Sequence, residues 1–327
     1  RKDDELNMKV LITGGTGVNG AVLARLLVSE GIRPVLFDNR MDLSLVGDLK
    51  EKVDLVEGDV VDPRSLANAI TAHQISHIAH LAALMPGPAE ADPVVAVRVG
   101  IEGTVNVLEV ARAQKVQRVV YTSSKAVYGE ILGEFGEPRF LPVQEDHPRN
   151  PADLYGVIKV SCEEIGKYYR GAYGVDFVAL RFSSIYGPGK ETRHGPLSFY
   201  GRLIEAAKAG TEWKIPAGGD QLNDAVYVGD VARSIYLALK AERSDRWVFN
   251  IGTGRGSTPR QFLSVLKKLF PEHRIELGPG QSNLGRDKRS FCIFDISAAR
   301  QHLGYEPVYD VEQGVRDYVG TLSRLGR

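Results

Sequence analysis

The stretch Tyr155-Gly156-Val157-Ile158-Lys159 places a phenol and an amine four residues apart. On a helix these two positions share one face, about one turn apart. A phenol with its ordinary pKa of about 10 is a poor base near neutral pH. A nearby ammonium favours the phenolate, and the pair can then move a proton on and off an alcohol oxygen. The same spacing occurs on many amphipathic helices for packing alone, so the chemistry needs support from elsewhere in the chain.

That support begins near the N-terminus. Residues 8–13 (MKVLIT) read as a buried strand, followed by Gly14-Gly15-Thr16-Gly17-Val18-Asn19-Gly20 and an apolar helix over 21–29. Strand, glycine loop and helix in this order open a dinucleotide-binding βαβ unit. Gly14 allows the tight turn, Gly17 lets backbone N–H groups approach a pyrophosphate, and Gly20 lets the helix pack closely. The helix N-terminus offers partial positive charge to the phosphates, with Val18 and Asn19 in the loop just before it. Asp38 ends the second strand, 18 residues after Gly20. A carboxylate there accepts hydrogen bonds from the adenosine ribose and repels a 2′-phosphate, which favours NAD over NADP. Asn39 adjoins it, and Arg40 weakens the preference. Asp59, with Val60 beside it, follows the third strand and is placed for the adenine edge. Leu81 ends the fourth and Ala82 and Ala83 follow it, where small residues let backbone lie against a cofactor.

The elements needed to position these groups are legible in order. Strands are expected at 33–37, 53–57, 76–81, 118–122 and 175–181. A helix capped by Asp62-Pro63 and a long helix over about 93–114 lie between them. Residues 129–150 read as a surface loop, and Asn150-Pro151-Ala152-Asp153 opens the helix of Tyr155. Six strands alternating with helices argue an α/β fold, a doubly wound parallel sheet. After Ser183 the pattern changes: helices at 197–209, from a cap at Asp230 to 240, at 259–270 and at 311–325, and short strands at 213–216, 224–228, 247–251 and 291–295. Residues 190–196 read as a mobile loop. The expected division is a dinucleotide domain over 8–182 and a smaller, partly interleaved α/β substrate domain over 183–327. Some of its segments return to the main sheet.

Composition narrows the function. The 327 residues are 43% hydrophobic and 25% charged, as in an ordinary globular protein. Lys+Arg and Asp+Glu both number 41, so no basic surplus points to nucleic acid or an anionic membrane. No apolar run reaches transmembrane length. The two cysteines, Cys162 and Cys292, have no metal-ligand spacing and are expected to be reduced and buried, in a cytoplasmic protein. The charged residues 1–7 read as an extension before a start at Met8.

In combination, TGGTGVNG (13–20), FDNR (37–40), GDV (58–60), HLAAL (80–84), GTVNVLE (103–109), YTSSKAVYG (121–129), YGVIK (155–159) and LRFSSIYGPG (180–189) resemble the extended short-chain dehydrogenase/reductases, the NAD-dependent epimerase/dehydratase family. The resemblance implies a catalytic set of Ser124, Tyr155 and Lys159. Tyr155 would be the acid/base at the substrate oxygen, Ser124 would hydrogen-bond the same oxygen, and Lys159 would bind the nicotinamide ribose and tune Tyr155. It also implies NAD as cofactor and a homodimer formed through helices near 93–114 and 152–172.

Departures from the family pattern bear on the substrate. Dehydratases carry Thr-Asp-Glu where this chain has Ser124-Lys125-Ala126, which disfavours water elimination. Gly100 stands where an Asn is usual, so a structural hydrogen bond is expected to be missing. Ser184 stands where nucleotide-sugar enzymes usually have Asn, and Asn223-Asp224 where they have an Arg-Asp pair that grips a pyrophosphate. Asn cannot neutralise a diphosphate as Arg does. Arg286 is a second phosphate candidate, and Lys125, Arg193 and His194 together suit a small carboxylate or phosphate. The expected function is NAD-dependent hydride transfer at a secondary alcohol or ketone of a small sugar-like or hydroxy-acid substrate. The alternatives are an epimerase of a sugar or nucleotide sugar that retains its reduced cofactor and, ranked last, a non-catalytic dinucleotide sensor.

Overall fold

The computed structural model describes residues 8–191, 198–282, 284 and 289–326. Among them, a central sheet of seven strands runs in the order β3-β2-β1-β4-β5-β6-β10. The strands are β1 Val10–Thr13, β2 Val35–Asp38, β3 Asp54–Glu57, β4 His77–His80, β5 Arg118–Ser124, β6 Phe177–Phe182 and β10 Val248–Ile251. Every neighbouring pair is parallel, with Thr13 opposite both Phe37 and His80, and Ser124 opposite Phe182.

The apolar runs are near-continuous because both faces of the sheet are covered. Successive side chains alternate between faces. Val10 and Ile12 accordingly join one buried cluster, while Leu11 joins the other with Val35 and Phe37. Strand order reverses between β1 and β4, and the crevice at the carboxyl ends of such a switch point is where ligands bind in sheets of this kind.

The helices that matter for the site are α1 (Val18–Ser29), α2 (Pro63–Ala72), α3 (Pro86–Ala91), α4 (Pro93–Val97), α5 (Gly103–Ala113) and α6 (Leu154–Tyr173). The long helix expected over 93–114 is broken by a π-helical turn at Arg98–Glu102 between α4 and α5. A Cβ on Gly100, within that turn, would lie 2.4 Å from Ile158 Cγ2 of α6. Ile158 fills the space an Asn would need, and the Gly100 carbonyl instead accepts from Thr104 and Cys162.

After β6 come β7 (Ser184–Tyr186), α7 (Phe199–Ala209), β8 (Trp213–Ile215), β9 (Ala225–Tyr227), α8 (Val228–Lys240), α9 (Pro259–Leu269), β11 (Ile275–Leu277), α10 (Ser297–Leu303) and α11 (Val311–Arg324). β7 pairs with β9 and β8 with β11, both parallel. The strands β7 and β11 and the short helices α3 and α10 were not expected.

Three expectations are corrected here. Residues 291–295 form no strand: Phe294 makes a single bridge to Val143, and its N–H is taken by the Asp224 carboxylate at 3.2 Å. Asp230 does not cap α8, which starts at Val228. Its carboxylate instead accepts from the N–H groups of Val308 and Tyr309 at 2.8 and 3.2 Å. The segment 129–150 is not wholly superficial, since Val143 is fully buried and Ile131 and Phe140 nearly so.

Candidate active site

Ser124 closes β5 and caps a short 3-10 turn, Lys125–Val127, by accepting the Ala126 N–H at 3.2 Å. Tyr155 lies in the first turn of α6, whose start is fixed by Asp153 accepting the Gly156 N–H at 2.7 Å. Lys159, one turn on, is 2% exposed. Its Nζ donates to the Thr122 carbonyl at 2.6 Å and lies 5.4 Å from the Tyr155 ring centroid and 4.6 Å from that of Tyr121. Strand end and helix thus bring Ser124, Tyr155 and Lys159 together.

Their electrostatics differ from the expectation. Burial pushes the Tyr155 phenol up to about 12, a hydrogen bond with the Ser124 hydroxyl pulls it down, and Asp153 raises it further. Burial also lowers Lys159 to about 8. In the chain alone the phenol is governed by desolvation, and Lys159 is not among the groups that shift it.

The glycine loop has the geometry a dinucleotide needs. Gly14 has φ +66°, a left-handed conformation that a side chain rarely adopts. A Cβ on Gly20 would meet the carbonyl oxygens of Gly14 at 2.6 Å and Gly15 at 2.7 Å. The close approach is therefore to the loop itself. Gly17 is the N-cap of α1 with no side-chain cap, which leaves the first-turn N–H groups to a ligand. The helix begins at Val18, three residues before the expected start. Val18 is buried, and Asn19 Oδ1 is buried without a hydrogen-bond partner among the described residues.

At the end of β2, Asp38 Oδ2 accepts from the Thr16 N–H and hydroxyl at 3.1 and 2.8 Å, and Oδ1 from the Arg40 N–H at 3.3 Å. Each oxygen retains acceptor capacity. Asn39 and Arg40 are exposed. Asn39 donates to Asp59 at 3.1 Å, and Asp59 also accepts the Val61 N–H at 3.1 Å. Val60 is buried, with Cγ2 2.7 Å from the position of a Gly103 Cβ. Leu81 and Ala82 donate their N–H groups to Thr13 Oγ1 at 3.1 and 3.2 Å, while Ala83 is exposed.

A buried relay beneath this crevice escaped the sequence reading. The Thr104 hydroxyl donates to the Gly100 carbonyl at 2.6 Å and accepts from His80 Nε2 at 3.1 Å. His80 Nδ1 then accepts from the Thr13 hydroxyl at 2.7 Å. Burial, and the Lys159 charge after it, push His80 down to about 3, so the ring is neutral. The relay ties β1, β4 and the π-helical turn together under the glycine loop.

On the substrate side, Lys125 Nζ donates to Ser184 Oγ and to the Ser290 carbonyl, both at 2.9 Å, and lies 5.3 Å from the Phe291 ring centroid. Ser184 donates to Asn223 Oδ1 at 3.2 Å, and Asn223 Nδ2 reaches Tyr200 at 3.5 Å. Three residues far apart in sequence meet in one chain. Lys125 is half-buried, whereas Ser184 and Asn223 are 8% and 1% exposed and lie behind it. Asp224 is fully buried and holds Thr253, Gly254 and Phe294 N–H groups. Arg193, His194 and Arg286 lie outside the described residues. Among those described, no group of His, Cys, Asp and Glu is arranged to hold a metal.

Comparison with known proteins gives the family of the chain. Residues 10–252 match the model of the NAD dependent epimerase/dehydratase family, and the chain belongs to that family. It is 29% identical over 322 residues to a putative UDP-glucose 4-epimerase of Methanocaldococcus jannaschii, covering 97% of this chain and 99% of that one. Among solved structures, the UDP-glucose 4-epimerase of Thermus thermophilus in complex with NAD superposes with a TM-score of 0.80 at 27% identity, over 97% and 99% of the two chains. The L-threonine dehydrogenase of Clostridium difficile superposes with a TM-score of 0.80 at 25% identity, over 98% of each. The protein is an NAD-dependent enzyme of the epimerase/dehydratase family.

Proposed function

We propose that this enzyme oxidises a secondary alcohol of a sugar-like or hydroxy-acid substrate, with Tyr155 as the acid/base. The observation that carries the reading is the convergence of Ser124, Tyr155 and Lys159 at the carboxyl end of β5. NAD, when bound, supplies a nicotinamide that accepts hydride. Tyr155 as phenolate takes the hydroxyl proton as the C–H bond gives up its hydride, and as phenol it returns one in the reverse direction. Ser124 hydrogen-bonds the same oxygen, and Lys159 holds the nicotinamide ribose and fixes Tyr155. Gly14, Gly17, Val18, Asn19 and Gly20 receive the dinucleotide phosphates. Asp38, Asn39, Arg40, Asp59 and Val60 form its adenosine end, and Leu81, Ala82 and Ala83 border it. Lys125 faces an anionic group of the substrate, and Ser184 and Asn223 position Lys125 from behind.

A second reading is an epimerase that retains the reduced cofactor and returns hydride to the other face. The similarity to UDP-glucose 4-epimerases over nearly the whole chain favours it. The similarity to a threonine dehydrogenase of equal TM-score favours net oxidation. Incubation with free NAD and a panel of sugars, uronates, hydroxy acids and UDP-sugars separates them. Accumulating NADH supports the first reading; inversion at one carbon without net NADH supports the second.

A division of the chain near 182/183 is part of the same proposal, although β10 returns to the main sheet. A homodimer is supported by exposed apolar side chains on two neighbouring helices: Val94, Val95 and Val97 on α4, and Val157, Tyr168 and Tyr173 on α6. No helix among the described residues is long and apolar enough to cross a membrane. Two free, buried cysteines suit a cytoplasmic location.

A further inference from the structure

Lys190 reads in sequence as part of a mobile loop, yet it is 4% exposed. Among the described residues its amine has no hydrogen-bond or ion-pair partner, and burial alone acts on it, lowering it to about 7. A buried amine without a counter-charge is costly. A ligand oxygen reaching the amine would offset that cost.

The neighbourhood identifies that partner. Gly189 has φ +85°, and a Cβ there would lie 3.6 Å from Val18 Cγ2 and 3.2 Å from Leu45 Cδ1. Val18 opens α1, directly after the glycine loop. Lys190 therefore follows a residue that closely approaches the first turn of the dinucleotide helix, and a four-carbon stem is long enough to bring an amine to that turn. Asn19, the residue after Val18, has a buried Oδ1 without a hydrogen-bond partner among the described residues. Among the described residues the Lys190 amine and the Asn19 amide oxygen both lack a partner; the amine suits a phosphate oxygen, and the amide oxygen suits a hydroxyl or N–H donor of the same ligand. The loop Gly14 to Gly20 contains no charged side chain. Its N–H groups and helix dipole alone offset only part of the charge of a diphosphate.

We propose that Lys190, from the loop after β7, supplies the cation that meets the diphosphate of the dinucleotide at the glycine loop.

The test is calorimetric titration of protein freed of nucleotide with NAD, ADP-ribose, adenosine and UDP, for wild type, Lys190→Met and Lys190→Arg. Loss of one charge-assisted contact predicts that Lys190→Met weakens NAD and ADP-ribose about 10- to 100-fold and leaves adenosine unchanged. Lys190→Arg should retain most of the affinity. Near pH 8 the wild type should take up a proton on binding NAD, seen as a buffer-dependent heat that Lys190→Met lacks. Unchanged NAD affinity overturns the proposal, as does a loss shared by adenosine. Weakening of UDP alone also overturns it, by assigning the amine to a substrate phosphate instead.

Discussion

Lys159 Nζ lies 5.4 Å from the centre of the Tyr155 ring, but its hydrogen bond goes to the Thr122 carbonyl, at 2.6 Å. The amine is anchored to β5 and presented beside the phenol without bonding to it. Tyr155, pushed up to about 12 by burial, is protonated at neutral pH in the chain alone. Oxidation uses the phenolate, so its rate should rise with pH across the neutral range, while reduction of the ketone should fall. Tyr155→Phe should lower kcat about 10²- to 10⁴-fold in both directions, with NAD affinity within twofold. Steady-state kinetics and a binding titration check both statements.

Lys159 also makes stability depend on pH. An unfolded lysine keeps the ordinary value of 10.5, whereas burial lowers folded Lys159 to about 8. Between those values the unfolded chain binds more protons, so this group makes stability rise with pH there. Its full penalty is present below about pH 8. The gap in urea stability between Lys159→Met and wild type should shift in favour of wild type from pH 7.5 to pH 10, an interval chosen to span roughly that window. A pH-independent gap would contradict this.

Behind the site, Glu163 is fully buried and Arg181 is 2% exposed. Arg181 forks onto both Glu163 oxygens at 2.8 and 2.6 Å, and Ser123 donates to one of them at 2.6 Å. Removing one partner strands a buried charge. Glu163→Gln should therefore cost about 3–5 kcal/mol in urea unfolding. Arg149→Ala, which removes a more exposed partner of the same carboxylate, should cost about 1 kcal/mol.

Gly100 tests the packing that supports Lys159. Gly100→Ala places a methyl 2.4 Å from Ile158 Cγ2. The overpacking should cost about 1–3 kcal/mol. Ile158→Ala in the same chain should cost less than the sum of the two single changes, because it removes the clashing methyl. Additive losses would mean that the backbone, not Ile158, resists the methyl.

Lys125→Met should raise KM for a carboxylate- or phosphate-bearing substrate at least tenfold, with a smaller change in kcat. Asn223→Ala should act in the same direction more weakly, through the chain Asn223–Ser184–Lys125. A loss of kcat at constant KM would place Lys125 in the chemistry rather than in binding.

The doubly wound sheet was legible because its signals are local: buried apolar runs, a glycine loop with strand and helix on either side, and a phenol and amine one helical turn apart. The misreadings concern backbone whose partners are remote. Residues 291–295 have the apolar content of a strand, but Val143 and the Asp224 carboxylate share their backbone groups. Lys190 sits among Gly, Pro and charged residues that suggest a loop, and its burial comes from folding that no local pattern signals. The Thr13–His80–Thr104 relay joins residues from three elements, and no spacing in the sequence connects them. Lys125, Ser184 and Asn223 were each suspected separately, but their assembly depends on β7 pairing with β9.

The central claim is hydride transfer to NAD with Tyr155 as the proton carrier. It is tested most directly with a substrate deuterated at the reacting carbon, followed in a single turnover by the absorbance of NADH. The account predicts deuterium in the reduced cofactor, a primary isotope effect on its formation, and loss of that signal in Tyr155→Phe with NAD still bound. Turnover of substrate with no label reaching the cofactor, or an undiminished signal in Tyr155→Phe, would contradict it.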